Sequence, residues 1–318
     1  MKNRSAVLLS GEGNTIPAAE AKALFLTYDP ASEFEQLGSR VLLATSSADP
    51  FKIGGRIAFA RRVGCVLENQ SDGEALLKGR RIRFRAYSCD LREVRADPEE
   101  YLKGIEATVD LESPEYELAL IRCSQDLLAV SSPGTMRQRW STRRPRSRPF
   151  FHPSAIFPKL SRALVNLSRC KEGESFLDPF AGTGSLPIEA YLVGARVAAV
   201  DLSEEMTRGA LRNMTHFGQS WAGVVRADST RLPFARADAV ATDIPYGRAS
   251  STRGRTTSEI LELLLASLAE IMGPSSHAVI MHPQPVGVEP NADFALVEEH
   301  HLHVHKLLTR TISVLRRR

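Results

Sequence analysis

The chain has 318 residues, 43% of them hydrophobic and 25% charged, with a formal net charge of +4. This composition supplies a sizeable core and excludes a disordered chain, and the length suits about two domains. No apolar run reaches the ~18 residues of a membrane span, and the apolar patch at 6–9 is too short for a secretory signal, so the cytoplasm is the expected location. In chain order, residues 18–26 predict a short helix and 40–44 a strand. Within 51–66, Ile57, Ala60, Val63 and Val66 recur at helical spacing beside polar Arg61 and Arg62. Residues 81–87 alternate as a half-buried strand does, and 116–122 do so similarly. Residues 50–131 therefore read as a small α+β module, preceded by an accessory region at 1–49.

From residue 151 the rhythm changes. A helix over 158–169 carries Leu160, Ala163, Leu164 and Leu167 on one stripe. Strand patterns follow at 174–178, 196–201, 222–228, 237–243 and 277–282. Helical patterns lie between them at 186–192, 203–216 and 258–272, with Ser203 and Ser258 as N-caps. Such alternation predicts an α/β, doubly wound parallel sheet. Residues 302–308 and 309–315 read as two tightly joined strands. The four cysteines, Cys65, Cys89, Cys123 and Cys170, are far apart and form no C-x-x-C pair, so buried thiols are expected.

Charge is uneven. Residues 127–171 hold ten Lys/Arg and no acid, which leaves −6 for the rest of the chain. Arg137, Arg139, Arg143, Arg144, Arg146 and Arg148 cluster there among Trp140, Pro145, Pro149 and Phe150. Guanidinium forks beside an aromatic suit phosphate, while a solvated basic linker over 132–150 is equally open on this segment alone.

The first strand of the second half runs into Asp178-Pro-Phe-Ala181-Gly182-Thr183-Gly184. Glycines at a strand-to-helix turn let a ligand approach the backbone and leave helix amides free. The dinucleotide pattern G-x-G-x-x-G fails, because Pro187 occupies its third glycine. Asp178 would repel a pyrophosphate and suits a ligand with a cationic end, such as S-adenosylmethionine. Asp201 ends the next strand, where an acid accepts from ribose hydroxyls. Asp228 ends the third and can accept from an adenine amino group. The fourth ends Asp243-Ile244-Pro245-Tyr246-Gly247. There a carboxylate and the following carbonyl can hold the hydrogens of an exocyclic amine and aim its lone pair at a methyl group, with Tyr246 as a stacking ring.

These two motifs together resemble the class I S-adenosylmethionine-dependent amino-methyltransferases. The stretches 144–154, 158–167 and 304–315 are similar to the linker, entry helix and closing hairpin of archaeal THUMP-domain tRNA guanosine-10 N2-methyltransferases. Gly64, 81–84 and 109–114 are more loosely similar to THUMP segments. The resemblance implies a Rossmann-like methyltransferase domain at 151–318 and a THUMP-like RNA-binding domain at 50–131. It implies that Asp178, Ala181, Gly182, Thr183 and Gly184 hold the methionine end of the cofactor. Asp201 and Leu202 would hold the ribose and flank the adenine, and Asp228 with Ser229 would meet the adenine edge. Asp243, the Ile244 carbonyl, Pro245 and Tyr246 would take the guanine, with Ile244 replacing the first proline of the usual motif. A monomer acting on tRNA is implied, without metal or membrane. By alternation, His301, His303 and His305 share one strand face, read as polar or RNA-facing. Other targets remain open on these residues: tRNA guanosine 6, a ribosomal guanine, adenine N6, or a non-catalytic RNA-binding relic.

Overall fold

The computed structural model describes residues 2–133, 140–219, 223–245, 254–305 and 308–318. The chain divides into two compact units, Met1–Gln138 and Arg139–Arg318.

The first unit carries β1 (Asn3–Leu9), α1 (Ile16–Tyr28), β2 (Glu33–Leu37), β3 (Val41–Ser46), α2 (Pro50–Arg56), β4 (Ala60–Leu67), α3 (Gln70–Leu77), β5 (Arg80–Ser88), α4 (Pro98–Tyr101), β6 (Ala107–Val109), β7 (Tyr116–Arg122) and β8 (Asp126–Ser131). Its eight strands form one sheet in the order β2-β3-β1-β4-β8-β7-β5-β6. Residues 1–49 and 50–131 therefore share a sheet, joined by the antiparallel pairing of β1 with β4. The helical spacing read at 51–66 is corrected: a two-turn helix ends at Arg56 and β4 takes over. Val63 and Val66 are β-branched and buried between strand neighbours. A Cβ at Gly64 would stand 2.9 Å from the Val130 carbonyl, so glycine allows the close approach of β8.

The cysteine expectation is also corrected. Cys89 and Cys123 form a disulfide with Cα atoms 5.2 Å apart. Parallel pairing of β5 with β7 sets Ser88 beside Arg122, and so brings together two cysteines 34 residues apart in sequence. Cys170 is a buried thiol and Cys65 a half-buried one, both outside the disulfide.

The second unit opens with two 3₁₀ turns, Trp140–Arg143 and Pro145–Ser147, and continues through α5 (Pro158–Leu167), β9 (Ser175–Asp178), α6 (Ser185–Leu192), β10 (Arg196–Asp201), α7 (Glu204–His216), β11 (Gly223–Arg226), β12 (Ala237–Asp243), α8 (Thr257–Ile271), β13 (Met272–Pro283), β14 (Phe294–His305) and β15 (Leu308–Arg317). The sheet order is β11-β10-β9-β12-β13-β15-β14. The first five strands in that order pair parallel, and β15 joins antiparallel to β13 and β14. The chain thus reverses direction in the sheet at β9, between β10 and β12, where ligands of doubly wound sheets bind.

Local boundaries differ at several points, among them α8, β11 and the closing hairpin. Helix α8 is capped by Thr256 in a reciprocal capping box with Glu259, so Ser258 lies inside the helix. Strand β11 stops at Arg226, which leaves Asp228 in the following turn. The closing hairpin starts at Phe294, with a register irregularity between His303 and His305, and the side chain of His305 lies outside those described. His300 is buried beside Glu298, while His301 contacts Gln284 and Thr311. Among the described residues no helix is long and apolar enough to cross a membrane.

Candidate active site

The strand order carries the C-terminal ends of β9, β10 and β12 to one edge of the sheet. A cavity of about 500 Å³ opens there. Its wall includes Ala181, Gly182 and Thr183 after β9, Asp201 and Leu202 at the end of β10, and Asp228 and Ser229 beyond β11. Asp243, Ile244 and Pro245 at the end of β12 close the opposite side, with His152, Ser154, Arg255 and Arg310. Most of the predicted cofactor residues and three of the four predicted base-binding residues therefore meet at one hollow. Tyr246, the fourth, lies outside the described residues.

Asp178 and Gly184 are displaced from that expectation. Asp178 is fully buried and does not line the cavity. Its Oδ1 accepts from Thr242 Oγ1 at 2.7 Å and from the Phe180 amide at 3.1 Å, which fixes the turn into the glycine loop. Gly184 occupies the left-handed region (φ 82°) as the N-cap of α6, behind the cavity wall. Gly182 is also left-handed (φ 49°), and a Cβ there would meet no atom of the described residues within 4 Å. The space beside it belongs to whatever enters.

Four carboxylates crowd this edge. Burial pushes Asp178 up to about 7, against the Thr242 and Phe180 hydrogen bonds, and the charges of Asp201 and Asp243 add to the rise. Burial likewise raises Asp201, although it accepts from the Ser203 amide at 2.8 Å and the Gly182 amide at 2.9 Å. Asp228 is held below the ordinary range, because bonds from Thr230 and Arg255 outweigh its burial. Burial pushes Asp243 up to about 7, opposed by Arg310, whose Nη1 stands 3.2 Å from Asp243 Oδ2. Asp178 Oδ2 and Asp243 Oδ1 are buried and have no hydrogen-bond partner among the described residues.

Carboxylates strained toward protonation around a hollow are suited to a cation. The sulfonium and ammonium of S-adenosylmethionine supply two, and the bare backbone at Gly182 leaves room for their approach. The residues present therefore fit that cofactor.

The arginine cluster is divided. Arg143 Nε bonds Glu189 at 2.7 Å, and Arg162 meets the same carboxylate at 2.7 Å. Arg148 is buried and donates to Ser185 Oγ and the Arg143 carbonyl. Arg143 and Arg148 thus pin the segment to the second unit instead of facing solvent. Phe150 reinforces this by exchanging backbone bonds with the Asn213 side chain. Arg144 and Arg146 are exposed, Arg146 lying over the Phe151 ring. Arg137 and Arg139 lie outside the described residues. Sequence reasoning assigned no role to Arg255, Arg310 or the His152–Ser154 pair. Arg310 reaches the site only through strand register: Asp243 pairs with Met281, Met281 with Ile312, and Pro283 with Arg310.

A parallel run of five strands ending in an antiparallel hairpin, with its cavity at the reversal point, defines a class I methyltransferase fold. The crystal structure of TrmN from Thermus thermophilus shares it, with a TM-score of 0.53, 18% identity, and 99% and 100% of the two chains covered. The UPF0020, RMKL-like methyltransferase domain matches residues 145–302. A relative from Methanothermococcus thermolithotrophicus, named probable tRNA (guanine(10)-N2)-dimethyltransferase, is 31% identical over 168 residues, which are 50% of this chain and 98% of that protein. The tRNA (guanine(10)-N2)-dimethyltransferase of Methanothermobacter thermautotrophicus is 27% identical over 98% of both chains. The chain belongs to this methyltransferase family.

Proposed function

We propose that the protein transfers methyl from S-adenosylmethionine to the exocyclic N2 of a guanosine in tRNA, guanosine 10 being the target, once or twice. One observation carries this reading: a largely buried carboxylate, Asp243, stands in the cavity wall with Oδ1 unpartnered among the described residues, followed at once by Ile244 and Pro245. The full-length similarity to the Methanothermobacter enzyme supports the choice of guanosine 10.

Ala181, Gly182 and Thr183 would meet the methionine end of the cofactor through backbone, with Asp178 as the anionic floor behind them. Asp201 would accept from the ribose, Leu202 would flank the adenine, and Asp228 with Ser229 would face its edge. When bound, S-adenosylmethionine supplies an electrophilic methyl group, whose C–S pair departs with sulfur as the amine lone pair forms the C–N bond. Asp243 Oδ1 and the Ile244 carbonyl accept the two N2 hydrogens and turn the lone pair out of the ring plane. Pro245 fixes that turn, and Tyr246 would stack on the base. A carboxylate poised near 7 is also matched to receive the proton that N2 must lose. Arg144 and Arg146 would contact RNA phosphates, and the sheet of the first unit, with its THUMP-like part at 50–131, would grip the tRNA. We place the enzyme in the cytoplasm and assign it a monomeric state.

The test is incubation of unmodified tRNA transcript with methyl-labelled cofactor, followed by nucleoside mapping. N2-methylguanosine at position 10 is expected. Asp243→Ala should lose methylation while binding cofactor and tRNA as the wild type does, and near-wild-type turnover would refute the assignment.

A further inference from the structure

We propose that Arg310 is the positioning residue of the amine-accepting site, holding Asp243 by Oδ2 so that Oδ1 alone remains to take the substrate N–H. This rests on the methyltransferase reading and adds a residue that acts on the substrate through Asp243.

The geometry is specific. Arg310 Nη1 lies 3.2 Å from Asp243 Oδ2, while Oδ1 has no partner among the described residues. Both side chains are largely withdrawn from water, at 17% and 15% exposure. Arg310 also stands in the wall of the same cavity. A carboxylate with one oxygen held cannot rotate to share its two oxygens with the incoming amine, so the acceptor direction is set before substrate arrives.

The charge matters as much as the geometry. Asp178, the buried acid at the end of β9, is itself raised by the charge of Asp243 and is bonded to Thr242. Met281, its register partner on β13, is uncharged, and the neighbouring His282 turns its ring to Ser313. The other titratable groups in the cavity wall are His152, Asp201, Glu205, Asp228 and Arg255, the last engaged with Asp228. Arg310 is thus the cation that opposes the burial of Asp243 and keeps it an acceptor near neutral pH.

The experiment compares wild type, Arg310→Gln, Arg310→Lys and Asp243→Asn as full-length proteins. Steady-state kinetics on unmodified tRNA are measured from pH 5.5 to 9, alongside infrared titration of the carboxyl band that Asp243→Asn removes. Arg310→Gln should lower kcat by about 10²-fold, with the affinities for S-adenosylhomocysteine and tRNA unchanged within about twofold. Its acid limb and its Asp243 band should both titrate about one to three pH units higher. Arg310→Lys keeps the charge and loses the planar fork, so kcat should fall with the limb near its wild-type position. Wild-type kcat and an unmoved Asp243 titration in Arg310→Gln would overturn the inference. Should that variant not fold, wild-type kcat in Arg310→Lys would overturn it. If wild type itself left tRNA unmethylated, the functional reading would fail, while the infrared titration would still decide whether Arg310 sets the ionisation of Asp243.

Discussion

Asp178→Asn should make the stability of the cofactor-free protein less dependent on pH, and the size of the effect follows from the site. The native carboxyl is fully buried and raised to about 7 from its ordinary 3.8. A carboxyl raised on folding holds its proton more tightly in the native state. Its stabilising contribution is complete below the unfolded value and is lost as pH rises through the folded value. Between pH 5 and 8 the loss is roughly 2–3 kcal/mol, at 1.36 kcal/mol per unit over the two units from 5 to 7. Asparagine keeps the Oδ1 bonds from Phe180 and Thr242, but it puts an amide NH₂ where Oδ2 has no described partner, at a cost of about 1–3 kcal/mol. The variant should therefore be less stable than wild type at pH 5 and equal or better at pH 8. His277, held down to about 4, and His282 contribute with the opposite sign, losing stability as pH falls, and they cancel in the difference at each pH. Both tryptophans of the sequence, at 140 and 221, belong to the second unit, so their fluorescence during urea unfolding follows this unit. A wild-type-to-variant difference constant within about 0.5 kcal/mol across that range would refute the assignment of a strained buried carboxyl.

Gly182→Ala should weaken S-adenosylhomocysteine binding by at least about tenfold by calorimetry, because its Cβ enters the cavity, and should cost about 1–2 kcal/mol of stability for a left-handed alanine. Unchanged affinity would place the cofactor away from this loop. Replacing the exposed Arg144 and Arg146 by alanine should flatten the salt dependence of tRNA binding by about 0.7–0.9 in logarithmic slope per arginine, read by filter binding at several salt concentrations. An unaltered slope would remove both from the phosphate contacts.

The catalytic half was legible because its signals are local. Three of the five parallel strands, β9, β10 and β12, end in an aspartate, and the crossover rule brings those ends to one edge without further information. Asp201 and Asp243 met at a cavity for that reason. Where the structure departed, a non-local contact decided. The Ile57 to Val66 spacing fits a helix in isolation, yet Val63 and Gly64 are committed to pairing with β1 and β8. Cys89 and Cys123 became neighbours only through the parallel register of β5 with β7. Arg143 and Arg148 look like surface charge until Glu189 and Ser185, about forty residues later, are set beside them.

The same distinction separates the two kinds of charge in the site. The acids are encoded where they act, Asp178, Asp201 and Asp243 at the ends of their own strands and Asp228 in the turn after β11. The cations that balance them are not: Arg310 comes from an antiparallel hairpin appended after the sheet, and Arg255 from the approach to α8. Both lie in stretches whose own pattern indicates only strand or loop. An arginine delivered by register is fixed in position by pairing along the whole strand, from Pro283–Arg310 to His277–Arg316. A one-residue slip of β15 would turn Arg310 to the other face of the sheet and leave Asp243 buried without a counter-charge. On the proposal that Arg310 positions Asp243, the length of that hairpin bears on the chemistry as well as on closing the sheet. Shortening its pairing at the β14–β15 end should lower kcat before it lowers stability.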